Sequence, residues 1–193
     1  VYDSDGNQVQ RTKPTGSNGS IIFTSLVPGT YNVCETMQDG WSNTQPGAAA
    51  DEDGLVCQEF TVGYAQNTDV WFGNFRNGTV TVIKDTNPND ANWQDFGFGG
   101  NLGEFTLNGG TDEATNRTTL SGVGPNQAYT ITENDKPDNW DLTSITCEGD
   151  GEVTSDLETQ SATLTLTQSS GSFTCTFTNQ KRGQFAIRKY EDL

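Results

Sequence analysis

The sequence contains no histidine in 193 residues, a single methionine, and only 10 Lys and Arg against 26 Asp and Glu. Without His, imidazole general bases, His-metal centres and Ser-His or Cys-His nucleophile pairs are excluded. A formal net charge of −16 disfavours nucleic-acid partners and gives a self-repelling, soluble surface. No run approaches the roughly 18 apolar residues of a membrane helix, so no membrane insertion is expected within this segment. No nucleophile elbow, and no paired carboxylates set apart from the scattered acids, supports a hydrolase. The four cysteines lack CxxC spacing, which argues against zinc.

Abundant Thr and Asn, 22 Gly and an apolar fraction of 31% point instead to many short strands joined by turns, with almost no helix. The chain repeats itself. Residues 70–78 read Val-Trp-Phe-Gly-Asn-Phe-Arg-Asn-Gly, and 105 positions later residues 175–183 read Cys-Thr-Phe-Thr-Asn-Gln-Lys-Arg-Gly. Each copy ends in a strand-like segment with an Asn, Asn74 and Asn179, and passes through a Gly into a segment with a Lys, Lys84 and Lys189. Glu35 and Glu133 close the matching segments Tyr-Asn-Val-Cys-Glu and Tyr-Thr-Ile-Thr-Glu. Lys, Glu and Asn therefore recur in order, except that no Lys precedes Glu35 and Asn74, while Lys189 has nothing after it.

This pattern gives a strand-deficient β-sandwich at 1–77, a complete one at 78–182, and a first strand at 183–193 that completes 1–77 of an adjoining unit. Either the chain is one period of a longer tandem polypeptide, or the last strand of one molecule completes the next; both give a head-to-tail fibre. In the second copy strands are expected near 79–84, 95–98, 104–108, 117–121, 128–133, 141–147, 161–167 and 172–179, with polar loops at 85–94 and 148–160. In the first copy they are expected at 20–24, 30–35, 55–62 and 68–74, with a polar loop at 42–54. Lys84, Glu133 and Asn179 fall in phase with Val80 and Val82, Tyr129 and Ile131, and Cys175 and Phe177, so all three point to the core. Glu35 is in phase with Tyr31 and Val33, and Asn74 with Val70 and Phe72. Cys34 with Cys57, and Cys147 with Cys175, form an even pair per copy. They are expected as disulfides in an oxidising, extracytoplasmic setting, against the alternative of buried free thiols.

Ile83-Lys84-Asp85, Pro28-Gly29-Thr-Tyr31-Asn-Val-Cys-Glu35, Asp39-Gly-Trp41 and Phe177-Thr-Asn179 together resemble the collagen-adhesin B-type, or SpaA-like, prealbumin-fold repeats of bacterial surface adhesins and pilins. The first copy lacks the usual Pro between Glu and the aromatic, and the second has Pro137 but Asn139 in place of Gly. The resemblance implies an all-β fold of tandem Ig-like, prealbumin-like sandwiches, acting as a structural part of a secreted fibre or cell-surface stalk. It further implies a spontaneous isopeptide bond between Lys84 and Asn179 promoted by Glu133, and, across units, between Lys189 and Asn74 promoted by Glu35. Burial would lower the pKa of the Lys amine and raise that of the Glu, which fits such chemistry. The bland alternative is a buried ion pair or a snorkelling Lys. No enzymatic turnover is expected, only self-modification.

Asp3, Asp5 and Asn7 place oxygen ligands at alternate positions, a conceivable calcium site if Glu191 and Asp192 adjoin it across a junction; the competing reading is an Asp-Gly turn. Trp71, Trp93, Tyr64 and Phe75 could form a carbohydrate-binding surface or serve as core and junction residues. A calcium- or carbohydrate-dependent adhesin is therefore the alternative function. No other cofactor is expected, and the expected partner is a neighbouring unit of the same kind.

Overall fold

The computed structural model describes residues 1–89 and 91–190, without the side chains of 91–93. Among these residues every regular element is a strand, and the chain divides into two compact units, Val1–Phe75 and Arg76–Leu193. Among the described residues no helix is long and apolar enough to cross a membrane.

The first unit contains β1 (Tyr2–Asp3), β2 (Gly29–Thr36), β3 (Trp41–Gln45), β4 (Leu55–Val62) and β5 (Gly73–Arg76). They form a three-stranded sheet in the order β1-β2-β4 and a two-stranded sheet of β3 and β5. Tyr31 is buried, its hydroxyl donating to the Val27 carbonyl at 2.7 Å, and Val56 is buried opposite Glu35 on the neighbouring strand. The unit is nevertheless poorly sealed: Ile22, Val27, Tyr64 and Trp71 are largely exposed, and Trp41 is 38% exposed.

The second unit contains β6 (Gly78–Asn87), β7 (Ala91–Gly100), β8 (Phe105–Gly109), β9 (Arg117–Val123), β10 (Ala128–Asp135), β11 (Trp140–Gly149), β12 (Gly151–Asp156), β13 (Ser161–Leu166) and β14 (Ser172–Lys181). They form a five-stranded sheet β12-β13-β10-β7-β8 and a four-stranded sheet β11-β14-β6-β9. Alternation dictates the sandwich: Val80, Val82, Phe173, Cys175 and Phe177 turn inward from one sheet, and Phe96, Phe98, Ile131, Leu164 and Leu166 from the other. The layers interlock through aromatic edges, Phe98 against Phe177 at 5.2 Å and Phe96 against Trp140 at 5.9 Å between ring centroids. The first and last strands, β6 and β14, lie side by side and parallel, with Phe177 opposite Lys84 and Asn179 opposite Thr86. Gly78 opens β6 because a side chain there would run into the Gly171 backbone.

Four segments depart from the sequence reading. Residues 20–24 form no strand, since Ile22 and its neighbours find no edge to pair with. The presumed polar loops 42–54 and 148–160 contain β3 and β12, whose mostly polar residues give no apolar alternation to read. The expected strand 68–74 begins only at Gly73. Residues 183–190, expected as a strand of an adjoining unit, are exposed throughout and in no strand of their own chain.

Candidate functional site

The site of the second unit is assembled by three strands whose alternation buries polar residues as strictly as apolar ones. Lys84 on β6, Glu133 on β10 and Asn179 on β14 are 0%, 1% and 0% exposed. The parallel register makes Lys84 and Asn179 diagonal neighbours on one face of adjacent strands, a spacing long side chains can bridge. Glu133 reaches them from the opposite sheet. The Lys84 amine donates to Asn179 Oδ1 at 2.9 Å, to the Phe177 carbonyl at 2.7 Å and to the Asp85 carbonyl at 2.8 Å, and lies 4.5 Å from the Phe96 ring centroid. Asn179 Nδ2 donates to Glu133 Oε1 at 2.5 Å, while Glu133 Oε2 lies 3.7 Å from Lys84 Nζ and has no hydrogen-bond partner.

Burial shifts both titrating groups toward neutrality. Desolvation lowers the Lys84 pKa to about 8, against the opposing pull of Glu133 and Asp85. Desolvation likewise raises that of Glu133, partly offset by Lys84 and the Asn179 hydrogen bond. The carboxyl meets the carboxamide at its nitrogen rather than its oxygen. It therefore spans the amine and the amide nitrogen, a position suited to moving a proton from one to the other.

The first unit repeats part of this arrangement. Asn74 Nδ2 donates to Glu35 Oε1 at 2.6 Å, and Glu35 Oε2 is a buried atom with no hydrogen-bond partner. Asn74 itself is exposed, unlike Asn179. Lys189 is exposed in the strandless segment that follows β14.

Both expected disulfides are present, Cys34–Cys57 joining β2 to β4 and Cys147–Cys175 joining β11 to β14, each between directly opposed residues. Asp3, Asp5 and Asn7 lie in a turn: Asp3 Oδ1 accepts from the backbone N–H groups of Asp5 and Asn7 at 3.0 and 2.8 Å, and Gly6 N–H donates to the Asp3 carbonyl at 3.0 Å. Among the described residues no group of three or more His, Cys, Asp or Glu could hold a metal; Glu191 and Asp192 lie outside them. Tyr64 and Trp71 are exposed rather than core residues, Phe75 is half-buried, and the Trp93 side chain is outside the described set. Sequence phase alone missed the Phe177 and Asp85 carbonyls, because backbone acceptors leave no residue-type signal.

No curated protein matches the chain. Among solved structures, the major pilin protein T-13 of Streptococcus pyogenes aligns at 16% identity over 83% of this chain and 69% of its own, with a TM-score of 0.35. A second major pilin of that species, T3.2, aligns at 13% identity over 80% of this chain and 68% of its own, with a TM-score of 0.30. A SpaA-type family model described as a prealbumin-like fold domain matches residues 80–181, the span of the sandwich that buries Lys84, Glu133 and Asn179, and the chain belongs to that family.

Proposed function

We infer that the chain is a structural module of an extracellular fibre or surface stalk, and that its second unit locks itself with a Lys84–Asn179 isopeptide bond. The observation that carries this reading is the buried amine held 2.9 Å from a carboxamide oxygen, with one carboxyl spanning both nitrogens. A buried ion pair alone would not need Asn179 between its partners. In the proposed reaction neutral Lys84 Nζ attacks Asn179 Cγ, the Cγ–Nδ2 bond breaks, and Glu133 passes a proton from the amine to the departing nitrogen. Ammonia leaves and an amide remains, so the chain modifies itself once and turns nothing over.

Mechanical function follows from topology. Pulling on the ends of the unit loads β6 and β14 in opposite directions, and the bond would clamp these two strands directly. Two cross-strand disulfides fit an oxidising, extracellular setting. Intact-mass measurement of the reduced chain tests the proposal: each bond removes one ammonia, about 17 Da by the stoichiometry of the proton transfer. A mass equal to that of the unmodified sequence refutes it.

A further inference from the structure

Glu133 stands where β10 leaves its regular pairing. The ladder with β13 ends at Thr132 opposite Ser161, and the pairing with β7 shifts register between Glu133, opposite Phe98, and Asp135, opposite Gly97. The Glu133 N–H is nevertheless held, donating to the Gln160 carbonyl at 3.0 Å. Gln160, which precedes β13, has a φ of 55°, in the left-handed region that residues bearing a side chain adopt only at a cost. Glycine would take that conformation freely. The side chain that incurs the strain has a partner: Gln160 Oε1 accepts from Lys136 Nζ at 3.0 Å. One residue thus ties down the end of β10 twice, at the N–H of Glu133 and at a cation three positions further on.

The cation matters because of what the carboxyl must do. Lys84 and Glu133 together need one transferable proton: with a second the amine cannot attack, and with none the departing nitrogen has no donor. Among the elements packed around Glu133, β6 brings the Lys84 amine and β14 the neutral Asn179 carboxamide. β7 opposes it with Phe98, β13 is preceded by uncharged Gln160, Asp85 acts on Lys84 rather than on the carboxyl, and Asp135 is exposed. Among the described residues Lys136 is therefore the charge outside the reacting pair that acts on Glu133, and it favours the ionised carboxyl.

We propose that Gln160 and Lys136 are positioning residues for the Lys84–Asn179 bond, a brace that fixes the backbone of Glu133 and holds a positive charge near its carboxyl, setting the pH range in which the bond forms. The proposal rests on the bond-forming reading above. A fixed cation favours the loss of each proton from the Lys84–Glu133 pair, so it moves both limits of the reactive range to lower pH. Removing the cation, or releasing it from Gln160, moves both limits up.

The test follows bond formation directly. Chains are collected in denaturant as they are synthesised, diluted into a series of buffers across neutral pH, and the loss of one ammonia is timed by intact mass. Lys136→Gln should shift the rate profile to higher pH, and Gln160→Met, which keeps the carbonyl but loses Oε1, should shift it the same way. Lys136→Arg, which keeps the charge, should restore the profile of the unaltered chain, and added salt should move that profile toward the Lys136→Gln position. Profiles that coincide, or that fall in height without moving along the pH axis, overturn the proposal while leaving the bond itself intact. An unaltered chain that loses no ammonia at any pH overturns the bond and this proposal together. The Asn179→Ala chain, where no bond can form, supplies a second measurement: NMR titration of the Glu133 carboxyl carbon should move to higher pH on adding Lys136→Gln, and an unmoved titration overturns the proposal.

Discussion

Replacing Asn179 by Ala removes the electrophile of the proposed internal bond and leaves both sheets intact. The crosslink closes the chain between residues 84 and 179, and loop-closure entropy for a loop of about that length contributes about 4 to 5 kcal/mol. For a unit of roughly 100 residues this is a fall of about 20 °C in Tm. Force spectroscopy gives a sharper reading. β6 and β14 are parallel and registered over nine residue pairs, so pulling from Gly78 and Lys181 shears them. In the unaltered chain tension passes from Lys84 to Asn179 and the residues between cannot extend. In Asn179→Ala they can, apart from the 28-residue separation held by Cys147–Cys175. At roughly 3.4 Å per residue, and less the folded separation of the ends, the variant should show an added step of about 220 Å. Reduction should lengthen that step by about 95 Å. The reasoning is refuted if the unaltered, mass-deficient chain already shows the step, or if the variant does not gain it.

Glu133→Gln should retain the fold but lose the proton relay, so that its intact mass stays at that of its own sequence, without the loss of about 17 Da that bond formation brings; rapid, complete bond formation in this variant would remove Glu133 from the chemistry. In that same unbonded variant Lys84 still meets desolvation, which holds its folded pKa below the unfolded value of 10.5. Without the Glu133 charge, which raises it, that pKa lies below the value of about 8 in the unaltered chain, so the folded state binds fewer protons than the unfolded state from below pH 8 up to about 10.5. Stability should therefore rise through this window, by on the order of 1.4 kcal/mol per pH unit at most. Urea midpoints compared with a Glu133→Gln, Lys84→Met chain isolate the effect, and parallel profiles would contradict it. Replacing Cys34 and Cys57 together by Ser opens a loop of sequence separation 23 and should cost the first unit about 3 kcal/mol, measured by denaturant unfolding.

The buried triad was legible because strand phase does not discriminate by polarity: Lys84, Glu133 and Asn179 each sit an even number of residues from an apolar neighbour that must face inward. The disulfide partners were legible from their even number per copy. Pairing partners were harder to read. Ile22 lies in an Ile-Ile-Phe run with good strand propensity, yet 20–24 stays irregular, because propensity creates a strand only where an edge is available. Gly151–Asp156 errs the other way: it is exposed at nearly every residue and strand-like only because β13 offers its edge. Local pattern identified what faces inward, whereas sheet edges depend on residues distant in sequence.

The proposed Lys84–Asn179 bond defines a short load path through the second unit. Tension applied at its ends would enter along β6 to Lys84, cross to Asn179 and leave along β14. The strands between β6 and β14 would lie outside that path, and so would Cys147–Cys175, which falls between Lys84 and Asn179 in sequence. That disulfide would then protect folding and resistance to proteolysis without bearing tension, and the hydrophobic core would serve to hold amine, carboxyl and carboxamide in contact until the bond forms. The unit would keep its length under load in reducing and oxidising conditions alike.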